Sequence, residues 1–187
     1  MRVLGISGSL RRGSFNSALL RTAAEHLPGG VELVEFTRLG DIPPYDADIE
    51  AEGTPEVVRD LREAIRSADA VLIATPEYNH SIPGQLKNAL DWASRPAGQS
   101  ALNGKPAAVI GTSTGMFGAV WAQAETRKVL RALGGRVVDM ELPVAEADRQ
   151  LDADGRMRLS PQQSEQFEEL LAELIAAGER ERQPVAA

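Results

Sequence analysis

Cysteine is absent from this 187-residue chain. Without it there is no disulfide framework, no thiolate nucleophile and no zinc ribbon. Histidine is scarce. His26 and His80 stand far apart with no ligand spacing, so no metal site is expected. Any redox chemistry must then be carried by a cofactor. A basic surplus is also missing: 20 Lys and Arg face 27 Asp and Glu, a net charge of −7. Sequence-independent nucleic-acid binding needs cations facing phosphates, so no nucleic-acid partner is expected. Nor is there a long hydrophobic run. The longest, Ala70–Ala74, is far too short to cross a bilayer core of roughly 30 Å, and no membrane insertion is expected. The opening residues, MRVLGISGSLRRGS, read as a strand and a glycine loop rather than a signal peptide, which makes a cytoplasmic protein the default.

What is present is ordinary for a globular chain: 43% apolar and 25% charged residues. At about 150 residues per domain, the length suggests one domain over 1–177 and a flexible C-terminal tail over 178–187. Apolar runs and amphipathic stretches alternate. Strands are expected at Arg2–Ser7, Val31–Phe36, Asp69–Thr75, Pro106–Thr112 and Arg136–Met140. Helices are expected at Asn16–Leu27, from Thr54-Pro55 to Ala68, at Pro83–Ala93 and at Gly118–Leu133. Proline opens two of them, where its missing N–H costs nothing. Residues 37–53, rich in Pro and Asp, read as a loop. Asp154-Gly155 signals a hairpin within Leu151–Leu159, and Ser160-Pro161-Gln162-Gln163 is a capping box opening a last helix. Such alternation implies an α/β fold: a flavodoxin-like, doubly wound sandwich with a five-stranded parallel sheet of order 2-1-3-4-5 and helices on both faces. Ligands of such folds bind outside the carboxyl ends of the strands.

Three loops fall there. Gly8-Ser9-Leu10-Arg11-Arg12-Gly13-Ser14-Phe15-Asn16 follows a strand and opens a helix. Its glycines free the backbone, Ser9, Ser14 and Asn16 can donate hydrogen bonds, and Arg11 and Arg12 add a cationic field. A helix N-terminus carries unpaired N–H groups and about half a positive charge, so a phosphate is the natural guest. The alternative is a polar turn with two solvated arginines. The loop is neither G-x-G-x-x-G nor a Walker loop, because Gly5, Gly8 and Gly13 have the wrong spacing and no Gly-Lys-Ser/Thr follows. The second loop, Thr75–Gly84, is bracketed by prolines, and its backbone with Tyr78 and Asn79 can face a flat heteroaromatic edge. Glu77 reads as a solvated carboxylate or ion-pair partner rather than a base. His80 either lines a substrate mouth or faces solvent. The third loop, Gly111–Gly118, supplies hydroxyls and backbone donors.

These residues resemble the NADPH-dependent FMN reductase family, in its chromate and quinone reductase branch. The likeness is carried by Gly8–Asn16, by Pro76-Glu77-Tyr78-Asn79 with Ser81, Pro83, Gly84, Leu86-Lys87-Asn88-Ala89 and Asp91-Trp92, and by Ile42-Pro43 and Tyr45-Asp46. The resemblance implies non-covalent FMN. It places Ser9, Leu10, Arg11, Arg12, Gly13, Ser14, Phe15 and Asn16 around the phosphate. Pro76, Glu77, Tyr78, Asn79 and His80 would border the ring, mainly through backbone groups, with Ser113 and Gly115 from the third loop. It further implies ping-pong hydride transfer from NADPH or NADH to a small-molecule acceptor. Quinones come first among acceptors, with azo compounds, free flavin and chromate as looser ones. No catalytic side chain is assigned, because the hard chemistry belongs to the cofactor. The resemblance implies a homodimer, in places paired into a homotetramer, with Pro83–Ala93 near the interface. Trp121 stands where the family often has an arginine implicated in tetramer contacts. A flavodoxin-type electron carrier is the alternative. A phosphatase of similar fold would need a cysteine nucleophile. A calcium loop at Asp152–Gly155 lacks its remaining ligands.

Overall fold

The computed structural model describes residues 1–182. Six strands make one parallel sheet: β1 (Arg2–Ser7), β2 (Glu32–Glu35), β3 (Ala70–Thr75), β4 (Pro106–Thr112), β5 (Arg136–Val137) and β6 (Pro143–Val144). The order is β2-β1-β3-β4-β5, with β6 also on β4. Val3 pairs with Leu33 on one side and Ala70 on the other, and Leu72 pairs with Ala108. Every residue of β3 and β4 is buried. That is why these strands read as unbroken apolar runs: both faces are covered.

Helices α1 (Phe15–His26) and α7 (Pro161–Arg182) pack on one face through Leu19, Leu20, Phe167, Leu170 and Leu174. On the other face lie α3 (Glu56–Ser67), α4 (Gly84–Ala93) and α5 (Val120–Ala132), with Val58, Leu61, Ile65, Leu86, Leu90, Trp92 and Leu130. Each such side chain taken from water contributes roughly 1.5–3 kcal/mol. The short helices α2 (Ala47–Glu52) and α6 (Ala147–Gln150) complete the set. The expected start signals operate. Ser14 Oγ accepts from Ser17 N–H at 3.2 Å, and the Ser160–Gln163 box closes with bonds of 2.9 and 3.2 Å. The expected hairpin forms through a Leu151–Met157 antiparallel bridge. Asp152 Oδ1 there accepts from Arg156 and Asp154 N–H, which holds its carboxyl below the usual range.

Three expectations are corrected. First, residues 37–53 are not a plain loop. A 3-10 turn (Leu39–Asp41) and α2 order them, and α4 fastens them from below. Gln85 Nε2 donates to the Leu39 and Ile42 carbonyls, and Asn88 Nδ2 and Trp92 Nε1 both donate to the Pro43 carbonyl at 2.8 Å. Second, the fifth strand is interrupted rather than continuous over Arg136–Met140. β5 pairs with the start of β4 and β6 with its end. Between them buried Gln123 of α5 bonds both backbone groups of Leu142, while Asp139 and Glu141 turn out to Arg131 and Arg127. Third, α7 does not stop at Gly178 but runs to Arg182. A Cβ at Gly178 would collide with the Met1 side chain and approach the Asp69 carbonyl, so this glycine permits close packing over the strand ends. The remainder of the expected tail, 183–187, lies outside the described residues.

Candidate functional site

The loops after β1, β3 and β4 meet around a cleft of about 280 Å³. Ser9, Arg11, Ser14, Phe15 and Asn16 line it from the first loop. Pro76, Glu77 and Tyr78 come from the second, and Thr112, Ser113 and Thr114 from the third. Size does not locate the site. A larger depression of about 520 Å³ lies between β5 and α7, ringed by charges of both signs, among them Arg136, Asp139, Glu173 and Arg180. None of the three loops reaches it.

At the first loop, Ser14 takes extended backbone geometry and caps α1. Its Oγ accepts inward from Ser17, which leaves its own proton for a partner in the cleft. The N–H groups of Phe15 and Asn16 in the first turn take no partner among the described residues. Arg11 lies 4.5 Å over the Phe15 ring, and neither Arg11 nor Arg12 has an ion-pair partner there. Asn16 differs from its expected role. Its side chain, only 3% exposed, donates to the Thr112 carbonyl and accepts from Thr112 N–H, both at 3.1 Å. It ties α1 to the end of β4, and only its backbone N–H is left for a ligand. Leu10, Arg12 and Gly13 are exposed and lie outside the cleft lining. Leu10 instead borders a second crevice of about 320 Å³ that carries Glu35 and Asp41. Those carboxylates disfavour an anion, so the two sides of this loop differ in sign.

The second loop is a tight hairpin. Tyr78 and Ser81 exchange N–H···O bonds of 3.2 and 3.1 Å, and Asn79 (φ 52°) and His80 (φ 60°) form the turn in left-handed geometry. This two-residue form is usually built with glycine, but Asn and His also tolerate it. Asn79 and His80 sit at the tip, outside the cleft lining. Glu77 is neither a solvated carboxylate nor a free base. It is 13% exposed, and its Oε2 accepts from the N–H groups of Trp121 (3.1 Å) and Ala122 (3.2 Å) at the start of α5. Its Oε1 lies 3.6 Å from His80 Nδ1.

In the third loop, Ser113 lines the cleft and Gly115 does not. Thr112 and Thr114 are lining residues that sequence reasoning missed. Both sit in the hydroxyl-rich run already singled out, and adjacency to Ser113 was the available signal. Gly118 (φ 57°) closes the loop, since a Cβ there would meet the Pro143 and Val144 backbone at 2.5–2.6 Å. Seven large apolar side chains stay exposed among the described residues. Five of them, Leu10, Tyr78, Met116, Phe117 and Trp121, belong to these loops or the first turn of α5. Trp121 meets His80 and Phe117 edge-on, each at 4.9 Å. The cleft therefore has a donor-rich end with Arg11 and one exposed aromatic, Tyr78, in its wall, while Met116, Phe117 and Trp121 lie outside its lining. No metal-binding cluster of His, Asp or Glu occurs among the described residues, and no helix there is long and apolar enough to cross a membrane.

Residues 1–149 match the family described as NADPH-dependent FMN reductase. The chain is 48% identical over 158 residues to an NAD(P)H-dependent FMN reductase of Pseudomonas aeruginosa, covering 84% of each. It is 42% identical over 158 residues to a 2-hydroxy-1,4-benzoquinone reductase of a Burkholderia species, covering 84% of this chain and 85% of the relative. Among solved structures it superimposes on FerB, a flavoenzyme NAD(P)H:(acceptor) oxidoreductase from Paracoccus denitrificans. That match has a TM-score of 0.83 and 37% identity, covering 96% of this chain and 97% of FerB. With a match of this extent on a flavodoxin-like frame, the chain belongs to the NADPH-dependent FMN reductase family.

Proposed function

We propose that the protein is an FMN-dependent NAD(P)H oxidoreductase acting on quinones. One observation carries this reading: a single cleft joins unpaired helix N-terminal donors and Arg11, which has no ion-pair partner among the described residues, to the exposed ring of Tyr78. FMN has the matching polarity, a phosphate at one end and a flat ring at the other. The donor set fits the group. The Phe15 and Asn16 N–H groups, the Ser9 and Ser14 hydroxyls and Arg11 would hold the phosphate. Each charge-assisted bond there is worth roughly 1.5–3 kcal/mol. Tyr78, the backbone of Pro76–Tyr78 and residues 112–114 would border the ring. The relatives' reductase activities support the same assignment.

Bound FMN would supply two-electron chemistry, accepting hydride from NADPH or NADH and passing reducing equivalents to the acceptor. The chain's own residues bind and orient. Arg11 and the α1 terminus fix the anionic end, and Thr75–Pro83 presents a shaped backbone edge. The exposed ring of Tyr78 in the cleft wall favours flat apolar acceptors. No side chain of the cleft is assigned a proton, since Glu77 is engaged at α5. Azo compounds, free flavin and chromate are proposed as secondary acceptors, a homodimer as the assembly and the cytoplasm as the location. A homotetramer would have to form with Trp121 where family members often have arginine.

The test is direct. The purified protein should show a flavin absorption spectrum after incubation with FMN. Anaerobic NADPH should bleach it rapidly, and a quinone should restore it. A flavin that stays oxidised under NADPH would instead identify an electron carrier.

A further inference from the structure

Glu77 belongs to the loop on the ring side, yet its carboxylate serves a different element. Helix α5 starts from Ala119, a buried residue in left-handed geometry (φ 60°), and no N-cap side chain bonds its first turn. The cap arrives from 44 residues upstream, where Glu77 Oε2 accepts from both Trp121 and Ala122 N–H. A negative charge at this point also opposes the positive end of the helix dipole. A second tie runs parallel to it: Ser81 Oγ donates to Glu125 Oε2 at 2.6 Å. The Tyr78–Ser81 hairpin is therefore fastened to α5 just before its turn and at its end. The imidazole of His80, at the tip, rests edge-on against Trp121, the residue whose N–H Glu77 holds.

We propose that Glu77 is a positioning residue that couples the cleft to the first turn of α5. A ligand lying against the hairpin steadies it. Through Glu77 the same ligand steadies the Trp121 and Ala122 amides and the His80–Trp121–Phe117 corner where an acceptor would enter. Linkage is reciprocal, so loosening the cap weakens the ligand by the same factor. The inference rests on the functional reading above for the identity of that ligand.

The test compares wild type, Glu77→Ala and Glu77→Gln. It measures FMN affinity, amide hydrogen exchange at Trp121 and Ala122 with and without FMN, and steady-state constants with a benzoquinone. In the wild type, FMN should slow exchange of both amides about tenfold or more. Glu77→Ala should abolish that slowing and weaken FMN about tenfold, the loss equivalent to one charge-assisted bond. The KM for quinone should rise more than kcat falls. Glu77→Gln keeps an acceptor oxygen without the charge and should recover part of each effect. If Glu77→Ala fails to fold, Ser81→Ala, which cuts only the second tie, should show the same pattern more weakly. Uptake of FMN by the wild type with unaltered protection and affinity in the folded variant overturns the inference alone. Failure of the wild type to take up FMN overturns both the inference and the functional reading.

Discussion

The loops after β1 and β3 border the same cleft but treat their polar groups in opposite ways. The first leaves donors open: two N–H groups of α1 have no partner in the described chain, and Arg11, stacked on Phe15, and Arg12 have no ion-pair partner there. The second meets its own needs, closing Tyr78 on Ser81 and committing Glu77 and Ser81 to α5. One is a half-finished set of bonds that the proposed phosphate would complete. The other is a finished wall whose shape, more than its unmet valence, meets a ligand. Affinity should therefore be concentrated in the first loop, and alignment in the second.

The strongest way to break this contrast is Arg11→Glu. A carboxylate at the phosphate end should weaken FMN binding roughly 10- to 100-fold, from the 1.5–3 kcal/mol of a lost charge-assisted bond, with little change in melting temperature. Flavin fluorescence titration reads it, and unchanged affinity would remove the phosphate from that loop. Asn16→Ala should do the reverse. It strands the buried N–H and carbonyl of Thr112 and should cost about 2–3 kcal/mol of stability by denaturant titration. If stability held while FMN was lost, Asn16 would be a ligand contact after all. Asn79→Val forces a β-branched residue into left-handed geometry, at about 1–3 kcal/mol. Asn79→Gly should be nearly neutral for the fold, and equal stability of the two variants would deny the turn its geometry.

The smallest effect lies away from both loops and serves as a control. Glu50 accepts from Arg95 Nε and Tyr45 O–H, both at 2.9 Å, and the Arg95 guanidinium holds its carboxyl below the usual range. A depressed folded pKa contributes stability above the ordinary carboxylate value, about 4.3, and loses it as pH falls through the folded value. Glu50→Gln should thus lower the melting temperature at neutral pH, with the difference from wild type shrinking in acid. FMN affinity should not move.

Legibility in the sequence followed the range of the interactions. Ser14, the prolines opening α3 and α4, the Ser160–Gln163 box and the apolar runs of β3 and β4 act within a few residues, so their elements could be read locally. The donor-rich end of the cleft was legible for the same reason, since cap, glycine and arginine sit together. The break between β5 and β6 was not, because it depends on Gln123 reaching Leu142. Asn16 looked like a free donor because its partner, Thr112, lies 96 residues away. For Glu77 the ion-pair reading fits its place 3.6 Å from His80, but its bonds to the α5 amides were not legible because they lie 44 residues on. The hairpin at Asn79-His80 carries no glycine and so lacked the customary sign. Gly178 looked like a stop because the neighbours packed closely against it, Met1 and Asp69, stand at the other end of the chain or in its middle.

The interrupted margin beside β4 has a bearing on how these molecules meet one another. A long free edge would offer a row of unpaired amides to any passing strand, the first step toward fibrous stacking. Here each outer segment is two residues long, Pro143 has no N–H to offer, and Asp139 and Glu141 stand in the gap. Self-recognition through that margin is thereby discouraged.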